Sequence, residues 1–277
     1  MIHLVCALPA EARPVVDHLR LRSLPRRGGF ALYGNRHYRL AVSGVGQVNA
    51  GAAVALLAAQ GDHAAWINVG VAGQAESSVG AAALAAKVTD AATGRACYPQ
   101  FPFATAVPRL PLRTQALPRD PAGCPGELID MEAAGFCAVA ARFATLERVH
   151  CLKVVSDNGG EPPRLAKRTV ADLIEGQLQA LDELIGALTG LLDALPAELP
   201  GEAILERFCA HHHYSVSQIH ELRRLLARWC TLDGGSLPEP PPGAASAREV
   251  LAYLRDGLAE LSWRAPLGRA DTVPREA

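Results

Sequence analysis

ELIDMEAAGFCAVAARF, residues 127–143, starts as a short apolar run and passes at Met131 and Glu132 into a series of small apolar residues. The first part reads as a strand and the Ala-rich part after it as a helix. A carboxylate at such a joint is either a charge favoured by the helix N-terminus or a working group. The remainder of the chain bears on the choice, because the same kind of joint recurs along it.

MIHLVCAL reads as a short buried strand, and PAEARPVVDHL carries Pro9 and Glu11 near the start of a helix. A Gly-rich hairpin near RRGGF leads to the strand HYRLAVSGVG, which ends in Gly44 and Gly46, and then to the small-residue helix QVNAGAAVALLAAQ. HAAWINVGVAGQ repeats strand and glycine turn at Gly70 and Gly73, and residues 81–90 can continue the sheet. Proline-rich residues 97–126 read mostly as loop with short extended pieces. VHCLKVVSDNGG gives a further strand and turn, and residues 165–195 have helical spacing closed by Pro196 and Pro200. Strands alternating with helices predict a three-layer α/β domain over residues 1–195, with ligand groups gathered at the strand ends. After PAELPG, residues 201–277 read as a helical appendage: ILERFCAHHHYSVSQIHELRRLLARW and AREVLAYLRDGLAEL are amphipathic, joined by the linker GGSLPEPPPGAAS.

The 277 residues suffice for a sizeable core. Lys+Arg 27 against Asp+Glu 28 leaves no charge excess for a polyanion or a membrane surface, so no nucleic-acid partner is expected. Seven cysteines without a CxxC pair fit scattered reduced thiols and a cytoplasmic setting better than a disulfide framework or a zinc site. MIHLVCALPAEARPVV lacks the plan of a signal peptide, and no apolar run reaches the roughly twenty residues of a transmembrane helix.

Among candidate sites, SGVGQVN has the look of a dinucleotide fingerprint, but no acidic residue ends the following strand; close helix-to-strand packing explains its glycines better than phosphate cradling. His211, His212 and His213, if adjacent on one helix, fan out around it, so a solvated face is favoured over a metal site. Glu11, Glu132 and Asp157 remain, each at the end of a separate strand. Singly, two could serve a helix dipole and Asp157 an Asx-turn, but three carboxylates converging on one sheet edge would be costly without work to do.

The ordered set ALPAEA, SGVGQVNA, INVGVAGQ, IDMEAAG and VVSDN resembles the nucleoside phosphorylase superfamily, and most closely its hydrolytic branch, the methylthioadenosine/S-adenosylhomocysteine nucleosidases. The resemblance covers about residues 1–190 and implies an α/β/α fold with a mixed central sheet. It further implies a purine nucleoside substrate, adenosine with a modified 5′ position, with no metal or organic cofactor, and a homo-oligomer, most simply a dimer. In such a site Glu132 accepts hydrogen bonds from the ribose 2′ and 3′ hydroxyls and Met131 packs its thioether on the sugar. Asp157, with Ser156 beside it, protonates the purine N7 as the N-glycosidic bond breaks, and Glu11 polarises the attacking water. Val71, Gly73 and Lys153 complete the expected substrate contacts. The chain also departs from the family, which has serine at Val71 and arginine at Lys153 in nucleosidases, and arginine at Asn68 with serine or threonine at Val71 in phosphorylases. A phosphate dianion needs several donors and a water few, so hydrolysis is favoured. The rivals are a phosphorylase binding phosphate through Arg13 and Lys153, and a nucleoside- or partner-binding protein without turnover. Residues 201–277 are expected to be an accessory helical unit for subunit or partner contact or for covering the pocket, without chemistry of its own, with a helix-turn-helix DNA reader, prompted by Arg223, Arg224 and Arg228, as the sharper alternative.

Overall fold

The computed structural model describes residues 1–59, 64–159, 167–194, 202–233 and 237–264. The chain divides into two compact units, Met1–Leu192 and Asp193–Ala277. In the first, the strands are β1 (Ile2–Cys6), β2 (Arg22–Arg27), β3 (Phe30–Gly34), β4 (Tyr38–Val42), β5 (Ala65–Gly73), β6 (Ala82–Asp90), β7 (Ala96–Cys97), β8 (Arg109–Thr114), β9 (Leu128–Asp130) and β10 (Val149–Asp157). The helices are α1 (Pro9–His18), α2 (Gln47–Ala58), α3 (Ala133–Ala140), α4 (Lys167–Glu175) and α5 (Leu178–Ala194).

The strands form one mixed sheet in the order β10-β6-β8-β9-β5-β1-β4-β3-β2, with β7 on β6 and a further pairing of β10 with β5. That last pairing closes β5, β10, β6, β8 and β9 into a ring, while β1 to β4 extend from β5 as an open wing. β1 is parallel to both β4 and β5, and β5 is parallel to β10, so the C-terminal ends of β1, β5 and β10 share one edge.

Residue alternation along these strands separates two apolar clusters. Val5, Ala41, Trp66 and Cys151 face α2 and α3 through Ala50, Val54, Phe136 and Cys137. Leu4, Leu40, Ile67 and Leu152 face the other side, with Val15, Ile174, Leu181 and Leu184 from α1, α4 and α5. A sheet apolar on both faces must be covered on both, which is the three-layer arrangement that the strand and helix alternation predicts. The expected single helix over residues 165–195 is two helices, α4 and α5. It breaks at Gly176 and Gln177, where the Gln177 backbone N–H turns to the Ile174 carbonyl and its side-chain amide donates to the Gly80 carbonyl at 2.6 Å.

The second unit contains α6 (Glu202–Cys209), α7 (Val216–Leu232) and α8 (Ala247–Arg264). The expected apolar stripes are buried together: Phe208, Leu222, Leu225 and Leu226 pack with Val250, Leu251 and Leu254, with Ile204, Leu205, Ile219 and Trp229 around them. His211, His212 and His213 are not on a helix, as the sequence reading assumed, but in the link between α6 and α7. Ser215 ends that link by accepting from the Gln218 N–H while the Gln218 side chain accepts from the Ser215 N–H, a capping box that starts α7 at Val216 and so divides the stretch from Ile204 to Trp229 that the sequence presents as one amphipathic run. Among the described residues no helix is long and apolar enough to cross a membrane.

The contact of α2 with α3 is the tightest helix packing in the first unit. A Cβ on Gly135 would lie 2.2 Å from the Gln47 carbonyl oxygen, whereas one on Gly51 would meet the Val139 methyl at 2.9 Å. Backbone cannot yield as a side chain can, so Gly135→Ala is expected to destabilise by about 1–3 kcal/mol and Gly51→Ala by less. Thermal denaturation of the two variants checks this order; equal melting temperatures would show that the helices separate without cost.

Candidate active site

Glu11 lies in the first turn of α1, where the loop leaving β1 meets the ends of the neighbouring strands. Its side chain is turned back into the protein rather than toward solvent. Oε2 accepts from the Leu8 N–H at 2.8 Å and Oε1 from the Val71 N–H at 3.0 Å. The second bond crosses to β5 and requires close approach: a Cβ on Gly70 would stand 2.8 Å from Oε1. Burial raises the Glu11 carboxyl above its ordinary value, against the lowering effects of Lys153 and of the backbone N–H donors.

Glu132 is the residue just before α3, buried, with Oε1 accepting from the Gly46 N–H at 2.8 Å. Gly46 has φ 105°, a conformation that only glycine adopts without strain. The SGVG turn therefore serves to aim an N–H at a carboxylate, which corrects the reading of its glycines as helix-to-strand packing: a Cβ on Gly46 would meet nothing within 4 Å. Burial again raises the carboxyl, with Lys153 opposing and Asp130 adding to the rise.

Asp157 ends β10. The ladder with β5 pairs Val155 with Ala72 and then Asp157 with Gly73, so Ser156 is an extra residue in the strand. This bulge re-aims the strand end and lets two consecutive side chains reach the same space, where alternation would send them to opposite faces. The Ser156 hydroxyl donates to Asp157 Oδ2 at 2.9 Å. Gly73 leaves room beside them, since a Cβ there would be 3.0 Å from Asp157 Oδ1 and 3.3 Å from Pro121.

An open cavity of about 320 Å³ joins these groups. Glu11, Val71, Gly73, Met131, Glu132, Ser156 and Asp157 all line it. Lys153 does not. It is buried beneath, 1% exposed, with Nζ 2.9 Å from Asp130 Oδ2. Burial acts to lower the ammonium, but Asp130 and Glu132 outweigh it and hold Lys153 charged. Its expected place among substrate contacts is thus replaced by a place in the support of the site, because β10 turns its side chain toward Asp130. Asp130 also accepts from the Thr114 hydroxyl at 2.7 Å and the Ala133 N–H at 2.8 Å, which fixes the start of α3. Sequence reasoning passed over Asp130 and Thr114. A lysine inside an apolar strand was the available signal, since a fully buried ammonium calls for a partner.

Neither cation of the phosphate-binding alternative faces the cavity: Lys153 is paired below it, and Arg13 is exposed on α1, 3.8 Å from Asp17. Asn68 is buried and donates to the Val5 carbonyl. Arg119, in the loop that also brings Leu117 and Pro118 to the rim, is the one cation among the described lining residues. Among the described residues no group of His, Cys, Asp and Glu is arranged to hold a metal ion.

No family model matches the sequence, and no curated protein does. Solved structures do. Methylthioadenosine nucleosidase from Arabidopsis thaliana superposes with a TM-score of 0.58 at 20% identity, over 70% of this chain and 98% of that one. The methylthioadenosine/S-adenosylhomocysteine nucleosidase of S. pneumoniae gives 0.57 at 19%, over 68% and 99%. Futalosine hydrolase of Helicobacter pylori gives 0.53 at 14%, over 67% and 97%. At these identities the likeness is one of fold, and the fold of this chain is that of these nucleosidases.

Proposed function

We propose that this chain is a purine nucleoside N-ribohydrolase acting on an adenosine modified at the 5′ position, such as methylthioadenosine, S-adenosylhomocysteine or 5′-deoxyadenosine. The observation that carries the reading is the convergence of Glu11, Glu132 and Asp157 on one cavity from three separate strand ends. Cleavage of a ribosyl N-glycosidic bond passes through an oxocarbenium-like state, and the three carboxylates match its three needs. Glu132, with one oxygen on the Gly46 N–H, has its other oxygen to accept from the ribose hydroxyls, and Met131 packs on the sugar. Asp157 delivers a proton to the purine N7, so that the base leaves neutral. Glu11, held by two N–H groups and made more basic by burial, takes a proton from the water that attacks the anomeric carbon.

Water rather than phosphate is the nucleophile of this reading. A dianion beside Glu11 and Glu132 would need several cationic donors, and among the described lining residues Arg119 alone is one. A panel of purine nucleosides, with and without phosphate, read by released base, tests it. Base release in phosphate-free buffer with free sugar as co-product is expected; a sugar 1-phosphate as main product means phosphorolysis, and binding without release means a binding protein. Asp157→Asn should lower turnover about 10²- to 10⁴-fold with binding kept. Glu132→Gln should weaken both.

The pH dependence follows from burial of the base. Glu11 acts ionised, and its carboxyl is raised, so kcat/KM should fall with decreasing pH while the solution is still above the ordinary glutamate value of about 4.3. A flat profile down to that value would remove Glu11 from the role of base.

The proposal includes a cytoplasmic homodimer and an accessory role for residues 201–277. Val45 at the cavity rim and Val48 on α2 are exposed apolar side chains of the kind that a second copy covers. Within the helical unit, Glu221 takes up Arg255 at 2.6 Å and approaches Arg224 at 4.0 Å, which weakens the DNA-reading alternative. A chain ending at Leu199 should retain nucleoside binding and base release. A folded truncation that binds but does not turn over would place the helical unit in the chemistry.

A further inference from the structure

The cavity that holds the three carboxylates grades from buried groups to exposed ones. Glu11, Glu132 and Ser156 are buried in it, whereas Leu117 and Arg119 are exposed at its mouth. The proposed chemistry uses the deep groups and gives the mouth no task. Arg119 is the one cation among the described lining residues, and it makes no hydrogen bond or ion pair with another described residue. Arg113, on β8 just before the same loop, is by contrast taken up by Glu127 through two bonds of 2.5 and 3.1 Å. The backbone beside Arg119 is fixed. Asp120 accepts from the Ala122 N–H at 2.9 Å, and buried Pro121 reaches the end of β5, where a Cβ on Gly73 would meet it at 3.3 Å. An unengaged guanidinium is therefore held at the opening of a cavity whose other charged lining groups are carboxylates.

We propose, resting on the nucleosidase reading, that Arg119 is a specificity-determining residue that binds a carboxylate at the end of the substrate's 5′ substituent. A nucleoside with its N7 at Asp157, its anomeric carbon at Glu11 and its 2′ and 3′ hydroxyls on Glu132 has every other polar position committed to the deep groups. The 5′ substituent is what remains to extend toward the mouth, and Arg119 is the charged group that it meets there. The site then favours adenosines with a long acidic 5′ chain, of which S-adenosylhomocysteine is one, over those with a short uncharged chain, such as methylthioadenosine.

The chemistry of the mouth selects a carboxylate among anions. A guanidinium presents two parallel N–H donors that match the two oxygens of a carboxylate. Its single charge balances a monoanion, whereas a phosphate dianion would leave negative charge unmatched above Glu11 and Glu132. Leu117, 73% exposed on the same rim, gives the methylenes of such a chain an apolar surface to lie on.

The test compares kcat/KM of the full chain for S-adenosylhomocysteine and for its descarboxy analogue, which keeps the chain and the ammonium, by released adenine. The parent chain should favour S-adenosylhomocysteine about tenfold, the lower end of what hydrogen bonds to a charged group supply, because the mouth is open to solvent. The preference should lie in KM and shrink as salt is raised. Arg119→Gln should abolish it, and Arg119→Lys, which keeps the charge without the fork, should restore part of it. Equal kcat/KM for the two nucleosides with the parent chain would overturn the proposal. So would a preference that survives Arg119→Gln; a loss of equal size on both nucleosides is that result, and it would put Arg119 against the base or the sugar. If neither nucleoside releases adenine, it is the nucleosidase reading that fails. The affinities of the same pair, by calorimetry, then decide: an Arg119-dependent preference for the carboxylate supports the proposal, and equal affinities or no binding overturn it.

Discussion

A single buried ammonium holds the site together. Glu11, Asp130 and Glu132 are all buried, and the charge that they share is that of Lys153, directly bonded to Asp130 and close enough to act on the other two. Burying a carboxylate costs several kcal/mol, and a buried pair repays this only with good geometry and further hydrogen bonds. Here those bonds are supplied by Thr114 and Ala133 on Asp130, Gly46 on Glu132, and Leu8 and Val71 on Glu11. Losing either Lys153 or Asp130 would leave the other charge stranded, a cost of about 3–5 kcal/mol. The start of α3, the aim of Glu132 and the ionisation of Glu11 are therefore one coupled feature.

The closed part of the sheet makes that coupling possible. β1, β5 and β10 run parallel, so Glu11, the residues about Val71, and Asp157 arrive at one edge by topology. β9 does not run with β5. It meets it antiparallel at a single pair, Gly73 with Ile129, at the extreme end of β5. Three-residue β9 thus crosses the edge that the parallel strands define, and the residues following it, Met131 and Glu132, face the same cavity. Its other partner, β8, brings Thr114 opposite Asp130, so the pairing that closes the ring also places the hydroxyl that steadies the buried carboxylate.

What the sequence disclosed was the part governed by local pattern. The strand-to-helix joints at Glu11 and Glu132, the strand ending in Asp157 and the amphipathic stripes of α6 to α8 all follow from periodicity and from glycine and proline placement. What it hid was set by tertiary partners. The role of Gly46 depends on a carboxylate 86 residues away in sequence, and that of Lys153 on Asp130, which looked like one more residue of a short strand. The break at Gly176 is weakly marked, since one glycine in a helical pattern costs only about 1 kcal/mol; the Gln177 bond to Gly80 decides it. The histidine run was misplaced because a capping serine two residues past it outweighs the surrounding helical spacing.

Val71 holds Glu11 through its backbone and not through its side chain. Its side chain is aliphatic, so by itself it offers the carboxylate no polar contact. The group that reaches Glu11 is instead the Val71 peptide N–H, just as Leu8 and Gly46 act through their peptides. A peptide donor survives substitution of the side chain it belongs to, provided that the backbone path is kept, and Gly70 keeps it by leaving space for Glu11 to approach. A valine wall also repels a dianion more than a water, since it offers no donor to replace lost hydration. The Val71 side chain thus offers no donor to an anion in the cavity, while its peptide N–H keeps the Glu11 carboxylate in position.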